Sequence, residues 1–507
     1  MVRPNEGDEV RLEGWQEVGA SHCTHEAGER TRADPVEGRG SQMMEPLEGN
    51  MAGAQEPGAV STKQQRIARL GARYPSRAFT SLAHVMDLEW LREAYRRTRK
   101  DAAVGVDGQT AEHYEGDLQG NLRYLLEGAK AGTYLAPPVR RVHIPKGDGK
   151  ATRPIGVPTL EDKVLQRAVT MVLEPLFEQD FLDCSFGFRP RRSTHQALDV
   201  LWQSTMAMGG GWMIELGIQS FFDTLDHSQL RAFIKQRVRD GVLCRLIGKW
   251  LNAGVMERDK VTFPEAGSPQ GGVVSPILAN IYLHEVLDRW FAAEVRPRLR
   301  GRAFTVRFAD DVLLCFAEEA DARRVLAVLP KRFAKYGLTL HPTKTRLVHF
   351  APPHRRGTVS APVTFAFLGF THYWGRSRRG YWVIQRKTAK DRFRRALLRI
   401  KLWCRRFRHL PVCEQRAHLE RKLRGHYAYY GITGNIRLLQ RFCYRVERLW
   451  LKWLRRRSQR GRFNWDHASR LLARHPLPPA RIVHSYLKRA AKPLSEEPDA
   501  LVAHVRI

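Results

Sequence analysis

Two adjacent carboxylates, Asp310 and Asp311, sit between apolar runs in FTVRFADDVLLCF. Neighbouring like charges repel. In a regular strand neighbours point to opposite faces, but at a tight hairpin both can converge, and a divalent cation then offsets the repulsion. Magnesium takes carboxylate oxygens at about 2.0–2.1 Å and leaves room for phosphates. Two such ions about 3.5–4 Å apart activate an attacking hydroxyl and stabilise a leaving pyrophosphate. A lone Asp-Asp pair reads more often as a solvated turn, because Asp favours turns. Apolar strands on both sides put this pair at the end of a core hairpin.

The elements around the pair read as follows. AFTVRF and VLLCFA flank Ala309-Asp310-Asp311 as a hairpin, and ELGIQSFF reads as a strand. PPVRRVHIPKGDGKATRPIGVP reads as two short strands about a Gly-Asp-Gly turn. LEDKVLQRAVTMVLEPLFEQDF has the apolar spacing of a long amphipathic helix. SFGFRPRRSTHQAL leads from a loop into a helix, and SPQGGVVSPILANIYLHEVLDRW is a Gly/Pro loop entering another. Beyond Phe370 the chain reads as helical. Helices mixed with antiparallel strands predict an α+β fold.

Charge narrows the partners. The 507 residues carry a formal net charge of +33, which points to a polyanion, nucleic acid before membrane. Residues 1–60 hold 12 Asp/Glu against 5 Arg, a net of −7, so the remainder carries +40. That segment, rich in Gly, Pro, Glu and Ser without apolar period, reads as disordered. Residues 376–462 hold 28 Lys/Arg against 4 Asp/Glu, too one-sided for a merely solvated face. The 7 cysteines include no C-x-x-C pair, which argues against a disulfide framework or zinc ribbon and fits a cytoplasmic protein. No apolar run of about 18 residues is present, so no membrane partner is expected.

Seven stretches in order make a resemblance specific. They are VRRVHIPKGDGKATRPIGVPTLEDKVLQRAV, SFGFRPRRSTHQAL, IQSFFDTLDH, GSPQGGVVSPILANIYLHEVLDRW, VRFADDVLLCF, LTLHPTKTRLVHF and FLGFTHYWG. Over residues 80–485 the chain resembles a bacterial group II intron-encoded reverse transcriptase and maturase. The resemblance implies a right-hand polymerase: fingers over 63–200, palm over 201–370 and an α-helical thumb or maturase X domain over 371–490. An acidic tail, 1–62, precedes these and a short tail, 491–507, follows. The family's His/Cys endonuclease is expected to be absent, because the chain ends about 20 residues after RIVHSYL without paired cysteines.

By resemblance Asp310 and Asp311 are the catalytic, Mg2+-binding hairpin. Lys150 and Arg153 resemble residues that hold the incoming triphosphate. Phe222, or its neighbour Phe221, resembles the aromatic gate beneath the nucleotide sugar, although core packing explains an aromatic there equally well. Gln270, Gly271 and Gly272 resemble the loop where backbone approaches template and nucleotide. Lys344 resembles the lysine that follows the palm hairpins. The implied partners are intron RNA, an RNA template with a DNA primer or target, and nucleotide triphosphates.

One ligand is missing. The family strand reads Asp-Ile-Lys-Gly-Phe-Phe-Asp; here it is Gly217-Ile218-Gln219-Ser220-Phe221-Phe222-Asp223. Glu215 shares the face of residue 217 but lies about 6.6 Å away along a strand, and Asp223 about 20 Å away if the strand stays extended. Neither replaces the lost acid. The Mg2+ site is expected to be weakened and polymerisation slowed at least ~1000-fold. This leaves two readings: an active reverse transcriptase and maturase, or an RNA-binding splicing cofactor with a polymerase-deficient palm.

The basic C-terminal stretch supplies RNA grip. Phe393, Leu397, Ile400 and Trp403 follow helical core spacing, so the flanking Arg386, Lys387, Arg392, Arg394 and Arg395 are the RNA candidates. RKLRGHYAYYGITGN resembles the maturase signature, which adds Arg424, His426 and Tyr430, with Gly425, Tyr429, Gly431 and Asn435 matching as well. Tyr430-Gly431 and Gly434-Asn435 also read as helix-end and turn signals.

Overall fold

In the computed structural model, residues 59–145, 152–257, 260–263, 267, 271–353, 363–457 and 464–485 are described. The first part is helical about a small sheet: α1 (Ala59–Arg73), α2 (Leu88–Arg97), α3 (Ala111–Glu115), α4 (Leu118–Ala131), β1 (Val139–Pro145), β2 (Thr152–Val157), α5 (Leu160–Phe177) and α6 (Thr194–Met208). β1 and β2 pair antiparallel, Arg140 with Val157 through Pro145 with Thr152. The expected Gly-Asp-Gly turn between them lies outside the described residues. Pro154 is tolerated because β2 is an edge strand. α5 is buried along nearly its whole length, as its apolar pattern predicts. A Ser193–Gln196 capping box starts α6, two reciprocal bonds that satisfy orphan N–H groups.

The second part holds the central sheet. It comprises β3 (Gly211–Leu216), α7 (His227–Lys235), α8 (Gly241–Leu251), β4 (Val255–Glu257), β5 (Lys260–Thr262), α9 (Ser275–Leu283), β6 (Ala303–Phe308), β7 (Asp311–Phe316), α10 (Glu319–Ala334) and β8 (Arg346–Phe350). The central strands run in the order β6-β7-β3-β8, while β4 and β5 extend the first sheet as β2-β1-β4-β5. The buried residues of β7, Val312 to Phe316, face cores on both sides. A one-residue slip would strand Asp311 indoors, so burial fixes the register.

The third part comprises β9 (Phe365–Phe367), β10 (Phe370–Arg376), β11 (Trp382–Thr388), α11 (Lys390–Arg406), α12 (Val412–Tyr430), α13 (Ile436–Leu454) and α14 (Trp465–Arg474). The expectation of helix from Phe370 onward is corrected: residues 370–388 form a hairpin, and helix begins at Lys390. Phe370, His372 and Trp374 are buried alternately with half-exposed neighbours, a period of two that the basic composition hid. This hairpin packs with α6 and the central sheet, whereas α11–α14 enclose a separate core around Leu423, Phe442 and Trp450. Phe393, Leu397, Ile400 and Trp403 join that core, as helical spacing requires.

Candidate active site and nucleic-acid interface

The carboxylate hairpin is a two-residue turn. Phe308 pairs with Asp311, leaving Ala309 and Asp310 at the tip. Ala309 has φ 55°, a left-handed conformation that a non-glycine residue holds only when its surroundings impose it. Those surroundings are buried and polar. Arg307, wholly inaccessible, donates to both Asp288 oxygens, to Asn280 Oδ1 at 2.9 Å and to the Ala309 carbonyl at 3.2 Å. Asp288 ends a π-turn, His284–Asp288, that follows α9. Asn280, on α9 itself, donates to the Gly187 carbonyl at 2.8 Å. A Cβ at Gly187 would stand 2.3 Å from the Ala309 nitrogen, so only glycine admits this approach. One buried cation thus ties α9, the 184–187 segment and the hairpin tip together. Phe188, next in line, is 52% exposed with φ 58°.

The strand opposite departs from expectation. β3 ends at Leu216 rather than running through Phe222. Ser220 turns at φ 45°, and Phe221–Asp223 form a 3-10 turn. Asp223 is therefore not carried away along an extended strand, and the estimate of 20 Å does not apply. Phe221 is buried and Phe222 half-exposed, so Phe222 is the member of the pair that offers a face outward. Glu215 is committed elsewhere: Arg346 holds it in a two-pronged pair at 2.8 and 2.9 Å.

Gly217 stands where the third carboxylate was expected. Leu216 pairs with Val312 as the last rung of the β3–β7 ladder, and Gly217 follows one residue past the end of β3. A Cβ there would stand 2.7 Å from Lys344 Cβ and 3.4 Å from His341 Cβ. Among the described residues no group of three or more His, Cys, Asp and Glu side chains is arranged to hold a metal ion. The donor set present suits at most one hard cation held by two aspartates with water or phosphate oxygens. It does not fit a two-ion centre.

Of the other expected site residues, Lys150 and Gln270 lie outside the described residues. Arg153 lies half-buried on β2. Gly271, at φ 119°, packs on that strand: a Cβ would meet the Gly156 carbonyl at 2.3 Å. The structure thus brings the Gly271 loop to within three residues of Arg153. Gly272 lies next to Ser275 and Val274, whose backbone N–H donates to Gln166 Oε1 at 3.3 Å. Gln166 donates in turn to Asp162, whose carboxyl burial pushes up to about 6. Lys344 is exposed on the turn before β8.

The RNA candidates divide. Arg394 and Lys387 are exposed, Lys387 over the Tyr373 ring at 4.8 Å. Arg392 and Arg395 lean on Asp391, and Arg424 on Glu420; exposed pairs of this kind contribute little and exchange readily for phosphate. Arg386 is corrected. It is 3% exposed, donates to the Leu198 carbonyl and Asp199, and braces β11 against α6. His426 and Tyr430 also turn inward. The His426 ring stacks on Phe442 at 3.8 Å, with burial holding it down to about 3, and Tyr430 packs against Phe370 at 5.2 Å. Asn435, buried, bonds Thr388 and the Tyr430 carbonyl, joining α12 to the hairpin.

Sequence reasoning missed a face. On α13 the exposed residues Arg437, Arg441, Tyr444, Arg445, Arg448 and Lys452 form one stripe, opposite buried Leu439, Phe442, Val446 and Trp450. The i, i+4 repeat of arginines opposite an apolar repeat is the signal that could have found it. Arg448 lies over the exposed Trp465 ring at 5.1 Å.

A family model described as reverse transcriptase (RNA-dependent DNA polymerase) matches residues 144–372. Protein YkfC of Escherichia coli (strain K12) is 34% identical over 287 residues, which cover 50% of this chain and 75% of YkfC. Group II intron-encoded protein LtrA of Lactococcus lactis subsp. cremoris is 38% identical over 198 residues, 39% of this chain and 32% of LtrA. Nuclear intron maturase 4, mitochondrial, of Arabidopsis thaliana is 27% identical over 146 residues, 29% of this chain and 18% of that protein. The match thus spans a third or less of these two intron-related relatives. The matched residues 144–372 contain the carboxylate hairpin and the central sheet, and a helical region follows; the chain belongs to the group II intron-encoded reverse transcriptase and maturase family.

Proposed function

We propose that this chain binds intron RNA and assists its splicing, while its palm copies RNA into DNA far more slowly than an intact relative. Divalent metal ions serve the family generally; here Mg2+ would be held by Asp310 and Asp311. Arg153, Phe222 and Gly271, with Lys150 and Gln270 beyond the described residues, would face a nucleotide triphosphate. RNA would lie along Lys387, Arg392, Arg394, Arg395 and Arg424 and the stripe on α13. Arginine fits phosphate in a fixed fork and stacks on bases, and Tyr444 and Trp465 offer stacking platforms.

The observation that carries this division of labour is Gly217, which offers no side chain, one residue past the Leu216–Val312 rung beside the carboxylate hairpin. Splicing assistance needs RNA grip, not the third carboxylate. The rival reading, a fully active reverse transcriptase, has one observation in its favour: the buried Arg307–Asp288–Asn280 frame beneath the hairpin is complete. A single preparation tests both. Splicing of the intron RNA around the coding sequence is expected to accelerate on adding protein. Primer extension with Mg2+ is expected at least ~1000-fold below an intact relative. Robust extension would defeat the proposal, and so would RNA splicing unchanged by the protein.

A further inference from the structure

The acid in the first turn of α5 does not face water. Asp162 is 1% exposed. Tyr134 O–H donates to its Oδ1 at 2.6 Å, and Gln166 Nε2 donates to its Oδ2 at 3.1 Å. Gln166 stands one turn along the helix and is itself buried. Its other end serves a loop: Oε1 accepts from Val274 N–H at 3.3 Å. Chemistry sets the order of these bonds. An ionised carboxylate only accepts, so the amide nitrogen of Gln166 faces Asp162 and its oxygen faces Val274. A buried carboxylate is tolerable only when donors meet it, so Tyr134, Asp162 and Gln166 act as one unit.

Val274 ends the Gly271 loop and is the N-cap of α9. No helix carbonyl can take the N–H of that position, and a buried N–H needs a partner from elsewhere. Gln166 is that partner. At the other end of the loop, Gly271 lies against β2: a Cβ there would meet the Gly156 carbonyl at 2.3 Å and Ile155 Cγ2 at 2.8 Å. Between them Ser275 N–H returns to the Gly272 carbonyl at 3.3 Å. α9 then carries Asn280, which accepts from Arg307 beneath the carboxylate tip. Residues 271–274 are thus held by β2 and α5 on one side and by the helix that reaches the hairpin frame on the other. The Gln166 bond sets where the loop stands relative to Asp310 and Asp311.

Resting on the nucleotide reading of Gly271 above, we propose that Gln166 is a positioning residue for the triphosphate subsite, and that Asp162, with Tyr134, holds Gln166 in the one orientation that can do this. Neither side chain touches the nucleotide. They fix the loop, and the backbone of the loop meets the ligand.

Two readouts on the full-length protein test this, at about pH 8, where Asp162 is ionised. One is hydrogen–deuterium exchange of the segment carrying Val274. The other is binding of a complementary nucleoside triphosphate to the protein on a primer–template whose primer ends in a dideoxynucleotide. Gln166→Met removes both bonds at similar volume. It is expected to speed exchange at least ~10-fold and to weaken nucleotide binding at least ~10-fold, with primer–template affinity held within about twofold. A merely structural loss would weaken both affinities together. Tyr134→Phe, a gentler change, is expected to shift exchange and nucleotide binding the same way by about threefold. Asp162→Asn keeps an acceptor for Gln166, and its NH2 can donate to the Tyr134 oxygen; it is expected within about twofold of wild type in both readouts. Asp162→Leu is expected to follow Gln166→Met. Gln166→Met that leaves exchange or nucleotide binding unchanged would overturn the inference, and so would primer–template affinity that falls as far as nucleotide affinity. Asp162→Asn as impaired as Asp162→Leu would remove the role given to Asp162. If wild type binds the complementary nucleotide no tighter than a mismatched one, the nucleotide reading fails instead, and exchange alone decides whether Gln166 fixes the loop.

Discussion

Arg307 sits beneath Ala309 with no access to solvent and meets Asp288 through three N–H···O contacts of 2.5 to 3.0 Å. A charge taken out of water is tolerable only when paired and fully bonded; removing one partner strands the other. Arg307→Met is therefore expected to destabilise the fold by about 3–5 kcal/mol, read by denaturant unfolding. Arg307→Met combined with Asp288→Leu should recover much of that loss, because apolar replacement of a buried pair is often near neutral. A single variant as stable as wild type would show that the pair holds nothing. The hairpin motif was legible in the sequence because two acids between apolar runs are unusual. The arginine was quoted within it, but its role depends on Asp288, 19 residues away, and spacing alone does not pair them.

At the scale of elements, α13 and β11 exchange the roles that composition assigned. Both are basic, and net charge does not say which arginines face water. Replacing Arg441, Arg445 and Arg448 together by Ala is expected to lower RNA affinity and reduce the slope of log affinity against log salt by about 2–3, with unchanged melting. Arg386→Ala should do the reverse: lower the melting temperature and leave the salt slope intact, since its guanidinium is buried against α6. Filter binding across a salt series, run beside thermal melts, separates the two. Equal effects from both sets would mean that exposure does not decide RNA contact here. No helix among the described residues is long and apolar enough to cross a membrane.

For the whole molecule, buried histidines set the response to acid. Burial holds His372 and His426 down to about 3 and His284 down to about 4. A histidine whose folded pKa lies below its unfolded value takes up protons more readily when unfolded. Stability is therefore intact above pH ~6.5 and falls as pH drops below it. Each histidine removes roughly 2 kcal/mol by pH 5. Asp162, raised to about 6 by burial, works the other way and returns roughly 1 kcal/mol over the same interval. Burial raises Glu161, Glu174, Asp180, Glu285 and Glu447 in the same direction as Asp162, but the three histidines carry the larger shifts, so the melting temperature is expected to fall from pH 7 to pH 5. His372→Phe, whose ring keeps the stack on Phe365, should shrink that fall by about a third. A His372→Phe variant whose melting temperature falls as far as that of wild type would mean that His372 does not contribute to the acid response.

The α+β class, the carboxylate hairpin, the run of α5 and the inward residues of α11 are each determined by local pattern, because side-chain period follows backbone geometry within one element. The absent carboxylate at Gly217 was likewise visible, since a missing side chain is a fact of sequence. What lies beside it was not: Lys344 is 127 positions on and approaches Gly217 only because β8 returns beside β3. The same limit hid the strand end at Leu216, the inward turn of Arg386 and the outward stripe on α13. Exposure and contact between distant residues arise from packing of whole elements, and no local spacing encodes them.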